Sequence, residues 1–549
     1  MKTIIIFACC TLLVLSSLNS QAQFNFSSSP VWLVSKNYPT GIGWADFDHN
    51  GYPDLAVSTG LDVVNGATLI YYNDSGILPA TPGWASVFLA PGCNIYLNDF
   101  DHNGDIDIAV ASLGLTSNGM LAVPNYTFMN NSGMPPTPGW LSQPGNAFSC
   151  AGGDIDGDGD IDLAFARGDY ATSKKENVLL FINHQGSFDS ISDWQSDSTY
   201  FGTDLAFADV DLDGDLDLAL GARIKGILIF YNENGILETS PSWHSGAVAG
   251  ARQMAFGDVD HDGYPDLAVA SPGEKFFLFK NLNGILDTIP QWVSIPGNEP
   301  SAVAWVDADG DGDLDLSAGS WNSALGIFEN INGILSDTFA WSKPVGGGTQ
   351  QIAWADYDKD YLIDTVKTLQ GDGHKKLFYI GKQVLQQISS ADINGTTIPP
   401  EQYCYDLTDG WISFAITPLA GEIINLHYSF SKDPDLVLTN WGAIKLFENL
   451  NTSTGLHGMR DQGMGPRLDQ NEPNPCREYT SLSFFLPCPD FISLRIYNSQ
   501  GKIVAKLLDR VIPGGEHRFD FSVDGLPAGL YTCAMQGNSF RLTRKIIIL

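Results

Sequence analysis

Positive charge is scarce in this chain of 549 residues: 29 Lys and Arg stand against 63 Asp and Glu, for a formal net charge of −34. With no basic cluster, the chain is a poor partner for nucleic acid or an anionic membrane surface. Long apolar runs are absent after residue 22, so no later segment is expected to span a bilayer. Cysteine is sparse as well, with only Cys93, Cys150, Cys404, Cys476, Cys488 and Cys533 lying beyond that N-terminal segment. They leave room for disulfides in an oxidising compartment, most readily among the last three, but spacing does not fix their pairing. A nucleophile elbow, a His-Glu-x-x-His pair and a phosphate loop are all lacking, which removes the commonest linear signatures of catalysis.

What the chain does have is aspartate at every second position, in loops that begin at Asp46, Asp99, Asp154, Asp209, Asp258 and Asp307, with a damaged copy at Asp356. Carboxylates two residues apart in a tight turn approach to about 4 Å, where each like-charge pair costs roughly 1 to 4 kcal/mol. A hard divalent cation removes that repulsion. Ca²⁺ takes oxygens from loop positions 1, 3 and 5, from a carbonyl at 7 and from a further carboxylate, here at position 9. Glycine fills position 6 in six copies, and Tyr361 stands there in the seventh. Position 12 is apolar (Val57, Val110, Phe165, Leu220, Val269, Ala318), which separates these loops from EF-hands and sets them between strands. Merely acidic turns are the alternative.

Residues 1–22 read as a secretory signal, with Lys2, an apolar stretch and a small-residue cleavage site. The loops recur every 49 to 55 residues, and each unit carries four short strand-like runs. Four strands at this period describe a β-propeller blade, so the chain is all-β. Trp84, Trp140, Trp194, Trp243, Trp292 and Trp341 each end a unit, and their register favours packing between blades over sugar stacking. Trp32 precedes every unit, and pairing its strand with the incomplete unit at Asp435–Asn449 would close the ring. Counting runs like Leu-Phe-Glu-Asn gives eight blades, with seven as the alternative. Residues 30–451 form the propeller, with a β insertion at about 386–431. A linker follows at 452–470 and a small β-sandwich at 471–549.

Two resemblances follow from these motifs. The Asp-x-Asp-x-Asp/Asn-Gly-x-x-Asp-Leu copies resemble the FG-GAP/VCBS repeats of integrin α-subunits and bacterial surface proteins. That resemblance implies about six Ca²⁺ sites. Its side-chain ligands would be Asp46, Asp48, Asn50 and Asp54; Asp99, Asp101, Asn103 and Asp107; Asp154, Asp156, Asp158 and Asp162; Asp209, Asp211, Asp213 and Asp217; Asp258, Asp260, Asp262 and Asp266; and Asp307, Asp309, Asp311 and Asp315. The tail is similar to the type A C-terminal sorting domain of the type IX secretion system. Asn474-Pro475, Phe484-Phe-Leu-Pro487, Ser493-Leu-Arg-Ile-Tyr497, Leu526-Pro-Ala-Gly-Leu-Tyr531 and the final Lys545-Ile-Ile-Ile-Leu549 carry the likeness. It implies export by that machinery to the cell surface or medium of a Bacteroidota-type bacterium.

The expected function is non-catalytic adhesion or ligand binding, with an extracellular protein or polysaccharide as partner. The family likeness places ligands on the face opposite the metal loops. There the segments joining second and third strands are longest in units one to three, around Asp62, Asn65, Asn118, Tyr126, Arg167, Asp169 and Tyr170. His49, His102 and His261, at position 4 of their loops, are expected to point into solvent. A calcium-dependent polysaccharide lyase and a structural surface-layer component remain the alternatives.

Overall fold

The computed structural model describes residues 24–450 and 467–549, apart from 37, 62, 115–121, 171–172, 247, 249, 274, 296–298, 323, 382–383, 469–470, 472, 478, 487–489, 499–501, 513–514, 524 and 538–540. The signal-like segment, most of the expected linker, Asp62, Asn118 and Cys488 therefore lie outside the described residues. Those described form an all-β structure dominated by four-stranded antiparallel sheets, with one 3-10 turn at Pro400–Gln402.

Seven sheets share one plan. Their first strands are Pro39–Ala45, Gly92–Asn98, Ala147–Gly153, Gly202–Ala208, Gln253–Gly257, Pro300–Val306 and Thr349–Ala355. Each packs against the next, and Thr349–Ala355 packs against Pro39–Ala45, so the series closes on itself. Second strands such as Asp54–Thr59 and Asp217–Ala222 are buried along their whole length. Neighbours cover both faces, which is why these strands read as unbroken apolar runs rather than alternating ones.

The tryptophans hold the sheets to one another. Trp84 meets Phe128 of the following sheet edge-on, with ring centroids 5.2 Å apart. The same contact recurs for Trp140 with Phe181, Trp194 with Phe230, Trp243 with Phe279, Trp292 with Phe328 and Trp341 with Phe447. Trp32 completes the circle against Tyr71 of the first sheet, at 5.2 Å.

Closure uses both ends of the repeat region. Trp32–Ser35 pairs with Ala443–Phe447, which pairs with Asp435–Asn440, which pairs with Thr349–Ala355. The runs counted as a seventh and an eighth unit are thus strands of one sheet, and the described strands of the circle form seven sheets. A further run of that type, Leu377–Tyr379, pairs with Trp411–Phe414 inside the insertion.

The insertion is larger than expected. Leu362–Gln370 pairs along its length with Ile423–Ser431, so the inserted strands begin at Leu362 and not near Gln386. Because that strand follows the damaged loop directly, its sequence resembles the second strand of a repeat. Leu385–Ile393 and Thr396–Thr397 complete its sheet, and Tyr403–Asp406 lies beside Trp411–Phe414 in a second one.

In the tail, one sheet contains Arg467–Leu468, Tyr479–Leu486 and Gly515–Ser522, and another contains Ile503–Ile512, Asp490–Tyr497, Gly529–Gln536 and Arg541–Ile548. Leu482 and Phe484 from the first share a core with Ile492, Leu494 and Met535 from the second. Arg467–Leu468 belongs to this unit, which therefore starts ahead of residue 471. Cys93, Cys150, Cys404, Cys476 and Cys533 are buried and form no disulfide with one another.

Trp243 is buried, donates its indole N–H to Leu286 O at 2.8 Å and packs on Phe279. Trp243→Ala is expected to destabilise the fold by about 3–5 kcal/mol, read from the urea unfolding midpoint. A loss below about 1 kcal/mol would mean that the sheets do not depend on this contact.

Candidate metal centres

Each acidic loop folds around its own backbone. In the first, Asp46 accepts hydrogen bonds from Asn50 N and Gly51 N, Asp48 accepts from Asn50 N, and Asn50 Oδ1 accepts from Tyr52 N. The reversal depends on Gly51, whose φ of 89° is open to glycine at little cost. Asp54, the first residue of the second strand, spends both carboxylate oxygens on the backbone. Oδ2 accepts from Phe47 N at 2.9 Å and Oδ1 from Asn73 N at 2.6 Å. The pattern repeats at Asp107, Asp162, Asp217, Asp266 and Asp315.

This wrapping brings negative charges together. Oxygens of Asp46, Asp48 and Asp54 lie within 4.8 Å of one another, as do those of Asp99, Asp101 and Asp107; Asp154, Asp156 and Asp162; Asp209, Asp211 and Asp217; and Asp258, Asp260 and Asp262. Burial is the main force raising these acids. It pushes Asp54 up to about 7, Asp107 to about 8, Asp154 and Asp209 to about 7 and Asp217 to about 9, with neighbouring loop carboxylates adding to the shift. Buried Asp154 Oδ1, Asp209 Oδ1 and Asp309 Oδ2 meet no hydrogen-bond donor among the described residues. Buried carboxylate oxygens without donors are suited to a hard cation, so these residues fit Ca²⁺.

Family models match this chain at both ends of its architecture. An FG-GAP-like repeat model matches residues 66–165 and 258–318, and a secretion system C-terminal sorting domain model matches residues 473–549. The chain carries FG-GAP-like repeats and a type IX sorting tail. That tail marks the protein for secretion and display at the cell surface. No helix among the described residues is long and apolar enough to cross a membrane. Solved structures entitled "Crystal structure of BBS1N in complex with ARL6DN", soaked with lead or with mercury, align with a TM-score of 0.43 each. Identity is 8% and 9%, over 78% of this chain and 99% and 98% of theirs. No curated protein matches the chain.

The FG-GAP-like loops are tied across sheet boundaries by residues that sequence reading passed over. Asn232 Nδ2 donates to Ile155 O, the position-2 carbonyl of the preceding loop, at 2.8 Å. Asn73, Asn183, Asn281, Asn330 and Asn449 make the equivalent bond to Tyr357, Phe100, Val210, Val259 and Ala308. These are the asparagines that end each third strand, and their recurrence in register was the available signal.

The loop histidines each meet a carboxylate of the neighbouring loop. His49 Nε2 lies 2.5 Å from Asp105, His102 lies 2.8 Å from Asp160 and His261 lies 3.0 Å from Asp313. In each pair the aspartate is position 7 of the following loop, and the His102 side chain is only 11% exposed. All three join neighbouring loops; His49 and His261 also stay 57% and 54% exposed, as expected, whereas His102 is enclosed. The hydrogen bond to that aspartate, more than any other influence, raises His49 and His102 above the ordinary histidine value.

A seventh loop is assembled in space. Asp356 and Asp358 open it, and the closing carboxylate comes from Asp435, beyond the insertion. Asp435 accepts from Tyr357 N, 78 residues away, at 3.2 Å and from Asn449 N at 2.8 Å, as Asp54 does from Phe47 and Asn73. Asp364, which follows the damaged loop in sequence, is exposed on an insertion strand instead. Asp356 is fully buried, and its Oδ2 meets no donor among the described residues.

The insertion rests on the loop side of the circle. Ser413 Oγ donates to Asp154 Oδ2 at 2.6 Å, and Tyr379 Oη accepts from Asp209 N at 2.9 Å. Lys376 and Lys375 donate to Gly157 O and Leu212 O. On the opposite side, Asn65 of the expected patch is exposed. Tyr126 is core, and Arg167 and Asp169 are buried, so the Arg-Gly-Asp tripeptide is not displayed. Tyr170 is exposed under the Arg223 guanidinium, 4.1 Å from its ring centroid. Two residues not anticipated from sequence, Trp321 and Trp441, pair at 6.5 Å between second and third strands of adjacent sheets, with Trp441 52% exposed.

The raised carboxylates set a pH trend. The folded state binds protons more tightly than the unfolded chain, so stability without metal falls as pH rises from the unfolded value near 4 through the folded values of about 7 to 9. In excess chelator the melting temperature is expected to be higher at about pH 5 than at about pH 8. A melting temperature that climbs over that interval would contradict the carboxylate geometry.

Proposed function

We propose that the chain is a calcium-stabilised, seven-bladed β-propeller that its C-terminal β-sandwich exports to the cell surface, where it binds a protein or polysaccharide without catalysis. The observation that carries this reading is the evenness of the acidic loops. Each closes around a position-9 aspartate, and each is bonded into the next sheet. Metals held alike around a ring suit a structural role better than a single reacting centre. Bound calcium would supply charge compensation, while the aspartates fix the loop and the asparagines join it to its neighbour. Asp356, Asp358 and Asp435 would hold a seventh ion beside the six that the contiguous loops would hold.

The two faces divide the labour. The insertion covers much of the metal side, and the other side presents Trp441, Trp321 and Tyr170, aromatic surfaces of the kind that stack on sugars or anchor proteins. The lyase reading requires a base of low proton affinity near the metal loops. Tyr379, which sits there, is moved the other way, because burial raises it well above the ordinary tyrosine value. That displacement weighs against catalysis at this position.

At dissociation constants of about 0.1–1 mM, near-millimolar calcium stabilises by about 0.4–1.4 kcal/mol per site. Seven sites together give about 3–10 kcal/mol, comparable with the stability of a whole domain. EGTA is therefore expected to lower the melting temperature sharply, and lanthanide-soaked crystals are expected to show seven anomalous peaks at the loops. Asp435→Asn should remove the seventh peak and leave the others. Unchanged melting in EGTA together with peak-free loops would overturn the calcium reading.

A glycan and matrix-protein array in calcium tests the ligand reading. Binding without turnover is expected, and Trp441→Ala should weaken it roughly two- to ten-fold. Shortened polysaccharide with new unsaturated ends would establish the lyase instead.

A further inference from the structure

The insertion does not seal the loop side evenly. Over the second, third and fourth sheets it bonds directly to the ring, at Tyr96, Asp154 and Asp209, whereas over the fifth and sixth it leaves a cavity of about 280 Å³. Phe207, Phe256 and Leu314 wall it from the ring, and Val384 and Phe430 wall it from the insertion. The loop carboxylates Asp258 and Asp307 border one edge.

Asp409 lines the cavity from the insertion, together with Lys367 and Tyr379. Its neighbour Asp406 is satisfied, accepting from Thr408 N, Asp409 N and Tyr96 Oη. Among the described residues, the Asp409 carboxylate accepts no hydrogen bond and has no basic side chain within salt-bridge distance. The two basic side chains lining the cavity have other partners: Lys367 Nζ donates to Ile380 O at 2.8 Å, and His261 lies on Asp313. Burial and the nearby Asp406 carboxylate both raise Asp409 well above the ordinary carboxylate value, as expected for an acid that lacks a counter-ion. A half-buried carboxylate over phenylalanine walls is complementary to a positive charge on an apolar body.

We propose that this cavity binds a small organic ammonium ion, with the charge against Asp409 and the apolar body between Phe256 and Phe430. A neutral polyol would leave the carboxylate without a counter-charge, and an anion would meet three acids. The site is separate from the aromatic face proposed to take a surface ligand, so either assignment can fail without the other.

Isothermal titration of the full chain in saturating calcium, with phenethylammonium as probe and phenethyl alcohol as its uncharged counterpart, tests this. The amine is expected to bind at least about ten-fold more tightly than the alcohol. Asp409→Asn should reduce the affinity for the amine by a similar factor and leave that for the alcohol unchanged. Val384→Trp, which fills the cavity, should abolish both. Equal affinities for amine and alcohol, amine binding that survives Asp409→Asn or Val384→Trp, or no heat with either probe would each overturn the proposal. If Asp409→Asn does not fold, the comparison of the two probes on the unaltered chain decides.

Discussion

Carboxylate oxygens held within 4.8 Å of one another at the tip of sheet after sheet are the constraint on which the rest of the structure depends. The backbone creates the crowding, because Asp54 and its equivalents must face inward to accept amide hydrogens from their own loop and from the third strand. The strain is local but its consequences are not. The same loops offer position-2 carbonyls to asparagines of the next sheet and position-7 carboxylates to histidines of the preceding one. Neutralising the charge therefore bears on the joints between sheets as well as on single hairpins.

Closing a circle adds a second requirement, that no sheet edge be left open. Two distant segments meet it: Trp32–Ser35 supplies the outer strand of the sheet begun by Thr349–Ala355. That sheet also carries the insertion, and Asp435 returns the chain to the position that Asp54 holds in an uninterrupted loop. An insertion entering and leaving at an acidic loop is held at its base by the same carboxylate geometry as the ring. Its packing onto Asp154 and Asp209 gives the loop side a covered character that the opposite side lacks.

The regular parts of this architecture were legible because they repeat. Tryptophan register gave the inter-sheet contacts, and alternate aspartates gave the loops. Counting failed where the repeat is broken. Leu362–Gln370 imitates a second strand by its place after a damaged loop, and Leu377–Tyr379 imitates a third, yet both pair within the insertion. His102 departs from its expected exposure for a different reason. A position that points outward from an isolated loop points at a neighbour once loops stand side by side.

The sequence by itself determined the chemistry of each hairpin tip, the strand order within a repeat and the address carried by the tail, since all of these depend on residues close together in the chain. Tertiary structure alone decided the number of sheets, the partnership of Asp435 with Asp356, the exposure of Trp441 and the cavity beside Asp409. Each of those depends on which distant segments become neighbours, and the pairing energy that selects them is spread over whole strands and not written in any local motif.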